Sequence, residues 1–257
     1  MSHRLSIMPT RSLRLMVKQR LPHWIGRLYA KVRMILLRQS NRRKSTKEVF
    51  TRIYEESKWG GIKGQYCSGS GSTEGHASLY SEVVRSFITD KTIHSVLDLG
   101  CGDFTVGAKI KMEGVRYHGI DIVDALIARN QREFGSAEVS FHCLDIVVDE
   151  LPDAELCLIR QVLQHLSNTQ IMKVLHKTKK YKYVLVTEHY PSPFVKAIPN
   201  KDKPHGEDVR IYDDSAVYLD LPPFNLHIAA LILDTVAGKC LVKEGESLRT
   251  YLIDNWN

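Results

Sequence analysis

Three acidic residues and one glycine turn stand where they could hold a small ligand. Asp98 precedes the turn Gly100-Cys101-Gly102, Asp121 lies 21 residues after Gly100, and Asp145 closes a third segment. Asp98 ends an apolar run of the kind that forms a buried parallel strand, and glycines at such an end let the backbone approach a ligand closely. Asp121 and Asp145 end a second and a third predicted strand. Ligands of open α/β sheets bind outside the carboxyl ends of the strands. The pattern therefore predicts one crevice that contains Gly100, Asp121 and Asp145.

The glycine turn does not match two common phosphate-binding fingerprints. A dinucleotide-binding loop needs a third glycine at position 105, where the chain has Thr105, and the next glycine is Gly107. A lysine followed by serine or threonine, which a P-loop requires, is also absent after the turn. The loop is typical of nucleotide-binding turns, but NAD, FAD and a P-loop nucleotide are disfavoured.

The strand and glycine turn at residues 96–104, together with Asp121 and Asp145, resemble the corresponding motifs of the class I S-adenosylmethionine-dependent methyltransferases. In that family VLDLGCGDF, residues 96–104 here, corresponds to the first motif, and an acid at the end of the second strand holds the ribose. The resemblance covers roughly residues 50–257. The chain also resembles a narrower group, a bacterial family of uncharacterised methyltransferases. Four motifs carry this likeness: SGSGS at 68–72, GIDIV at 119–123, LQHLSN at 163–168 and PPFNL at 222–226.

The resemblance implies S-adenosylmethionine as the cofactor and gives roles to the acids. Asp121 would accept hydrogen bonds from the ribose diol, because an ionised carboxylate can accept two. Asp98 and Gly100 would contact the amino-acid end, and Asp145 with Ile146 would meet the adenine. The full set predicted to bind the cofactor is Asp98, Gly100, Cys101, Gly102, Asp121, Ile122, Asp145, Ile146, Arg160 and Gln161.

The end of the fourth predicted strand determines which residue could accept a proton. The narrower family tends to have Arg-Asp there, whereas this chain has Arg160-Gln161, and glutamine cannot remove a proton. His165 is then the best candidate base, because imidazole titrates near neutral pH. His189 is a second candidate, although a histidine among leucines is often structural.

Two arginines are candidates for anion binding. Arg210 is predicted to bind an anionic group of the substrate, and Arg160 could do the same. The alternative is that these arginines pair with internal acids such as Asp145 or Asp208.

The elements that must position these residues alternate between apolar strands and amphipathic helices. This order predicts a seven-stranded Rossmann-like sheet, mostly parallel with an antiparallel last strand, with helices on both faces. The long segment 190–227 is rich in proline and polar residues, which is typical of a functional loop. Strands are predicted at 93–99, 115–121, 139–145, 155–160, 183–188, 240–243 and 248–253, and helices at 47–57, 77–88, 106–112, 125–134 and 169–177.

The glycine- and serine-rich residues 67–74 allow two interpretations. Such repeats usually form flexible linkers. In the narrower family, however, a similar sequence precedes the core helix, and this resemblance implies a lid over the cofactor.

The basic charge of the chain is concentrated at its start. Residues 1–44 contain nine arginines, three lysines and no acid, a charge of +12, whereas the rest carries 24 basic and 29 acidic residues. The apolar residues Leu21, Trp24, Ile25, Leu28, Val32, Ile35 and Leu36 recur at helical spacing, which predicts a basic amphipathic helix. It could pack on the domain, bind an anionic membrane surface, or serve as an organellar transit peptide. The predicted division is an extension at 1–46 and a methyltransferase domain at 47–257.

Composition narrows the class of protein further. The chain has 257 residues with 43% hydrophobic content, enough for one catalytic domain and an extension. Its five cysteines form no Cys-X-X-Cys pair, which favours free thiols in a reducing compartment over a zinc site. We therefore expect a cytoplasmic enzyme, with peripheral membrane attachment open, that methylates an oxygen, or less readily a nitrogen, of a small-molecule or glycan-like acceptor. A nucleic-acid methyltransferase and a non-catalytic, membrane-associated cofactor-binding protein are the alternatives.

Overall fold

A seven-stranded sheet forms the centre of the computed structural model, which describes residues 23–62, 65–72, 74–236 and 245–253. The strand order is β3-β2-β1-β4-β5-β7-β6. The first five strands run parallel, whereas β7 is antiparallel to both of its neighbours, β5 and β6. This sheet confirms the predicted fold class. The strands are β1 Ser95–Leu99, β2 Arg116–Asp121, β3 Val139–Cys143, β4 Leu156–Arg160, β5 Tyr183–Tyr190, β6 Ile228–Val236 and β7 Ser247–Ile253.

Six α-helices are described around this sheet, and two of them begin at a capping box. Ser45 accepts a hydrogen bond from the backbone of Glu48, and Ser167 does the same for Gln170. Each of these caps satisfies backbone donors that a helix start leaves free. The helices are α1 His23–Asn41, α2 Thr46–Glu55, α3 Glu74–Asp90, α4 Gly107–Ile110, α5 Asp124–Phe134 and α6 Asn168–Lys177.

The central strands bury side chains on both faces, as strands of a sheet covered by helices must. On one face Leu97 and Ile159 belong to the cluster that includes Val174 of α6. On the other face Val96 and Leu158 belong to the cluster that includes Val84 of α3. Because successive side chains alternate between faces, the apolar run in β1 supplies both clusters. The core thus fixes where each strand ends, and the strand ends carry the predicted site residues.

The second half of the sheet differs from the prediction. Residues 228–236, which were assigned to no element, form β6 and pair with β7 through two register shifts. The strand predicted at 240–243 lies outside the described residues. Residues 248–253 were predicted as an antiparallel strand, and they lie in β7, which is antiparallel to both β5 and β6.

The end of α1 contacts the rest of the fold. Arg38 Nη2 lies 2.7 Å from Asp208 Oδ2 and 2.5 Å from Asp213 Oδ2. Asn41 is fully buried and donates a hydrogen bond to the His205 carbonyl at 3.2 Å. These contacts bridge the junction that was predicted at residue 46, and the division into two domains stays a prediction.

The apolar stripe of α1 is exposed where its side chains are described. The exposed fractions are 46% for Val32, 55% for Ile35 and 60% for Leu36. The other stripe side chains, Leu21, Trp24, Ile25 and Leu28, lie outside the described residues. Within the described ranges, none of the helices has the length and apolar character needed to cross a membrane.

Candidate functional site

A cavity of about 370 Å³ lies at the carboxyl ends of β1, β2, β4 and β5. This is the edge at which open α/β sheets bind ligands. Apart from Arg210, every residue predicted for the site lines it: Asp98, Gly100, Cys101, Gly102, Asp121, Ile122, Asp145, Ile146, Arg160, Gln161, His165 and His189. The strands therefore bring together residues that are up to 91 positions apart in the sequence.

The turn after β1 requires both of its glycines. Gly100 has a φ of +78° and Gly102 a φ of +56°, in the left-handed region. A Cβ on Gly100 would lie 2.4 Å from Cγ2 of Val162, and one on Gly102 would lie 2.2 Å from Oγ of Ser68. Any side chain at these positions would therefore push away the neighbouring walls of the cavity.

The Asp121 carboxylate is held in place by backbone donors. Its Oδ2 accepts from the Gly102 N–H at 3.2 Å, and its Oδ1 accepts from the Val123 N–H at 3.1 Å. Burial raises the pKa of Asp121 to about 6, although these hydrogen bonds act in the opposite direction. Each oxygen keeps a second lone pair, so the carboxylate can still accept hydrogen bonds from a ligand.

Asp98 and Arg160 end the two central strands at the inner wall of the cavity. Burial raises the pKa of Asp98 to about 6, and the hydroxyl of Tyr117, which donates to its Oδ2 at 2.5 Å, and the charge of Arg160 oppose this rise. Arg160 Nη2 donates to the Gly71 carbonyl at 2.7 Å, and its guanidinium lies 4.9 Å from the ring centre of Tyr80. Asp98 and Arg160 thus place one acceptor and one cation beside the glycine turn.

The serine- and glycine-rich segment 68–72 packs against the glycine turn. Ser68 donates its N–H to Asp103 at 2.9 Å and accepts the N–H of Asp103 at 2.8 Å. Gly71 leaves room for Gln161, because a Cβ there would lie 1.7 Å from Gln161 Oε1. This segment forms part of the cavity wall, whereas its action as a lid stays a prediction.

Asp145 and Ile146 lie at the cavity after β3. Asp145 Oδ1 accepts from the Val147 N–H at 2.8 Å, and its own N–H donates to Asp149 at 2.8 Å. Ile146 is 8% exposed and belongs to the apolar core. Together the two residues provide a polar and an apolar contact at the same edge.

His165 lines the cavity with both ring nitrogens in contact with neighbours. Nδ1 lies 3.1 Å from the Gly206 carbonyl, which can only accept, so Nδ1 carries the proton. Nε2 lies 3.4 Å from the amide nitrogen of Gln164. Burial, with a smaller effect of Lys203, lowers the pKa of His165 to about 4. The sequence led us to expect that His165 titrates near neutral pH, and this lowered pKa contradicts that expectation.

His189 lines the same cavity from the end of β5. Its Nε2 lies 3.1 Å from Oε2 of Glu246, which is buried. The neighbouring Glu188 is also fully buried, and its carboxylate accepts the N–H groups of Leu163 and Gln164 at 2.8 and 3.2 Å. Glu188 thus fixes the backbone that carries the side chain of His165.

Arg210 has a structural position, which corrects its predicted role in substrate binding. Its side chain is 1% exposed and does not line the cavity. The guanidinium donates to the carbonyls of Lys201 and Leu166 at 2.6 and 2.9 Å and to the Asn168 side chain at 2.8 Å. The Lys201 carbonyl of the long loop and the Leu166 carbonyl thus hold this guanidinium outside the cavity, and Glu188, Asp202 and Asp208 lie near enough to favour its charge.

One wall of the cavity consists of residues that sequence reasoning missed. Trp59 packs between Phe50 and His165, with ring centres 5.9 and 5.0 Å away. The i, i+4 spacing of Phe50 and Tyr54 on α2 was the available signal. Glu207 and Tyr212 come from the long loop, for which only a general functional role was predicted. The missed lining residues also include Tyr54.

Comparison with known proteins adds a family match and a fold. Residues 96–181 match the family model described as a methyltransferase domain. No curated protein matches the chain significantly.

Two solved structures share the fold at low sequence identity. The human N-acetylserotonin methyltransferase in complex with SAM is 14% identical, with a TM-score of 0.51 over 83% of this chain and 61% of that protein. The magnesium protoporphyrin IX methyltransferase from Synechocystis PCC 6803 with bound SAH is 12% identical, with a TM-score of 0.53 over 82% of this chain and 100% of that one. This chain thus spans less than two thirds of the human protein, and these likenesses establish the fold alone.

Proposed function

We propose that this chain, a class I S-adenosylmethionine-dependent methyltransferase with S-adenosylmethionine as its cofactor, methylates an oxygen of a small-molecule or glycan-like acceptor. The observation that supports the proposal best is the shared cavity. The glycine turn, Asp121 and the aromatic residues Phe50, Tyr54 and Trp59 all line this cavity, and the Tyr54 hydroxyl lies 3.1 Å from Ser68 Oγ beside the turn. The lining residues therefore support a cofactor site and an apolar acceptor site within one cavity.

The residues present fit this cofactor. The two positive-φ glycines form a turn in which a Cβ would collide, and Asp121 lies beside it with acceptor capacity for a vicinal diol. Asp98, Arg160 and the backbone of Gly100 would hold the amino-acid end, and Asp145 with Ile146 the adenine. When bound, the cofactor supplies a methyl group that its sulfonium activates.

The main task of the protein is then to orient the acceptor toward that methyl group. Alignment of this kind lowers the barrier by on the order of 7 kcal/mol or more, whereas a general base contributes roughly 10²- to 10⁴-fold in rate. His165 and His189 stay predictions as proton acceptors. The backbone clamp of Glu188 on Leu163 and Gln164 supports a fixed geometry at this wall.

Charge distribution supports a small or glycan-like acceptor over a nucleic acid. The chain after residue 44 carries 24 basic and 29 acidic residues, a net charge of −5. A nucleic-acid-binding domain usually presents a basic surface that neutralises phosphates. Aromatic side chains such as Phe50 and Trp59 instead suit flat rings or the apolar face of a sugar ring.

We also propose that residues 1–44 attach the enzyme to anionic membrane surfaces. The segment has a charge of +12, and the described part of its stripe is exposed at Val32, Ile35 and Leu36. A helix with an apolar face and a basic face binds in the interfacial region of a bilayer.

Transfer of labelled methyl groups tests the proposed function. The full-length chain is incubated with methyl-labelled S-adenosylmethionine and cell extract separated into small molecules, glycans, lipids, proteins and nucleic acids. We expect the label in the small-molecule or glycan fraction as a methyl ether or ester. Label in nucleic acid would support the alternative enzyme, and cofactor binding without transfer to any fraction would support a non-catalytic protein. The Asp124→Ala variant, altered at an exposed acid near Asp121, serves as the active control.

A further inference from the structure

Building on the proposed function, we infer that Glu207 binds the reacting group of the acceptor, a hydroxyl attached to an apolar ring, and accepts its proton. Glu207 lines the same cavity as the glycine turn and Asp121. Its Oε2 is buried, with no hydrogen-bond partner among the described residues. A buried carboxylate oxygen without a donor is unfavourable by itself, so a hydrogen-bond donor from a ligand is expected there.

A second acceptor lies at the same wall. Gln164 is 5% exposed, lines the cavity, and has an Oε1 with no partner in the part of the chain that the structure describes. Its amide nitrogen contacts His165, whose Nδ1 contacts the residue before Glu207. Two acceptors without donors favour a ligand that presents O–H groups over one that presents carbonyls or ethers.

The surroundings of Glu207 define the rest of the acceptor. Trp59 donates its Nε1–H to the Glu207 carbonyl at 3.3 Å, which links the aromatic wall to this residue. The rings of Tyr54 and Phe50 lie 5.4 and 5.9 Å from that of Trp59. Such a wall contacts a flat or saturated ring through its apolar face, while the hydroxyl of the ligand meets the carboxylate of Glu207.

Glu207 is better placed than His165 to accept a proton. The proton of His165 is on Nδ1, and Nε2, the only nitrogen that could accept, is already contacted by the Gln164 amide. Glu207 Oε2 has no such competitor among the described groups. His165 then acts as a positioning residue, because it packs on Trp59 and holds the Gly206 carbonyl.

The proposed step is balanced in atoms and charge. The acceptor oxygen forms a bond to the methyl carbon as the carbon–sulfur bond breaks, and that electron pair stays on sulfur, giving a neutral thioether. The hydroxyl proton moves to Oε2 of Glu207 and is later released to water. The step changes no oxidation state that would require an oxidant or a reductant.

Binding of small probes tests this inference without turnover. Saturation-transfer NMR compares 4-methylphenol with its methyl ether, and cyclohexanol with its methyl ether, on the full-length chain saturated with S-adenosylhomocysteine. We expect each alcohol to bind about 10-fold or more tightly than its ether, because only the alcohol donates a hydrogen bond to a charged group. This preference should disappear in Glu207→Ala and persist in Glu113→Ala, a matched change at an exposed glutamate.

Several outcomes would overturn the inference. Equal binding of alcohol and ether, no binding of either, or a preference that survives in Glu207→Ala would each exclude Glu207 as the hydroxyl acceptor. With the acceptor fraction found by labelling, Glu207→Gln should slow transfer by about 10²-fold or more, since a general base contributes that much. A larger loss in His165→Gln would assign the proton to the histidine. Calorimetry of S-adenosylhomocysteine on the same samples separates the two proposals, because absent cofactor binding would contradict the proposed function itself.

Discussion

At the scale of single residues, burial determines the direction of the pKa shift of two acids in the cavity. Asp98 and Asp121 both have a pKa raised to about 6 by burial, while hydrogen bonds act to lower it. Desolvation therefore outweighs the donors that orient these carboxylates. A ligand that brings hydroxyl or ammonium donors would favour the charged forms, so cofactor binding and deprotonation should be linked.

Replacement of Asp121 by alanine tests its predicted contact with the cofactor. Hydrogen bonds to a charged group contribute roughly 1.5–3 kcal/mol, so Asp121→Ala should weaken S-adenosylmethionine binding by about 10- to 150-fold. Titration calorimetry at neutral pH measures this change. Asp124→Ala should bind normally, because the Asp124 side chain is 66% exposed and pairs with Lys47. Unchanged affinity in Asp121→Ala would remove the residue from the site.

Residue types next to strands could be predicted from the sequence, whereas contacts within loops could not. Gly100, Asp121 and Asp145 follow apolar runs, and their shared position follows from the rule that ligands bind at strand ends. Arg210 and Glu207 lie in a long loop whose path depends on distant partners such as Leu166 and Trp59. No local periodicity encodes such partners, so the role of Arg210 was predicted wrongly and Glu207 was missed.

At the scale of elements, one buried carboxylate connects β5 with the turn after β4. Glu188 accepts two backbone N–H groups of that turn, from Leu163 and Gln164. Burial raises its pKa to about 8, from an ordinary value of 4.5. The folded chain therefore binds a proton that the unfolded chain releases between these two pH values.

The pH dependence of stability tests this clamp. The pKa of Glu188 is raised in the folded state, so the proton on Glu188 stabilises the fold. This stabilisation is complete below pH 4.5 and is lost as pH rises through about 8. The free energy of unfolding should fall by at least about 1 kcal/mol between pH 5 and pH 8 relative to Glu188→Gln, which cannot titrate. Urea denaturation at the two pH values measures the difference. Glu150→Gln, altered at an exposed glutamate, should behave like the wild type; identical pH dependence in Glu188→Gln would contradict the prediction.

The central strands β1 and β4 were predictable, because they are buried on both faces and appear as continuous apolar runs. β1 is buried at all five positions, and its predicted range differs by two residues at its start. β6 was harder to recognise, since it follows a long polar loop and pairs with two register shifts. Residues 228–233 of β6 are all apolar, so the sequence did carry a strand signal there, and it was overlooked.

At the scale of the whole molecule, opposite charges meet where α1 joins the fold. Arg38 of the basic extension contacts Asp208 and Asp213, which belong to the same loop as Glu207. The Asp208 carboxylate is also 3.5 Å from Lys203, and both side chains are 1% exposed. The extension is thus anchored beside the cavity, so a membrane bound by α1 would lie near the proposed acceptor site.

This anchor determines how membrane attachment should be tested. Removal of residues 1–44 would delete Arg38 and the fully buried Asn41, and with them contacts of the fold. Substitutions on the exposed stripe avoid this difficulty, because Val32, Ile35 and Leu36 are 46–60% exposed. Val148, which follows β3, is 65% exposed and provides a matched apolar position outside α1.

Serine at Val32, Ile35 and Leu36 together should weaken sedimentation of the full-length chain with phosphatidylserine-containing vesicles, whereas Val148→Ser should not. A basic residue near an anionic leaflet contributes about 1 kcal/mol, so attachment should also fall as salt screens the +12 segment. Cofactor affinity should be unchanged, because these side chains lie outside the cavity. If the triple variant sediments like the wild type, the stripe is not the membrane contact. If it instead unfolds at lower temperature or loses the cofactor, the helix packs on the domain.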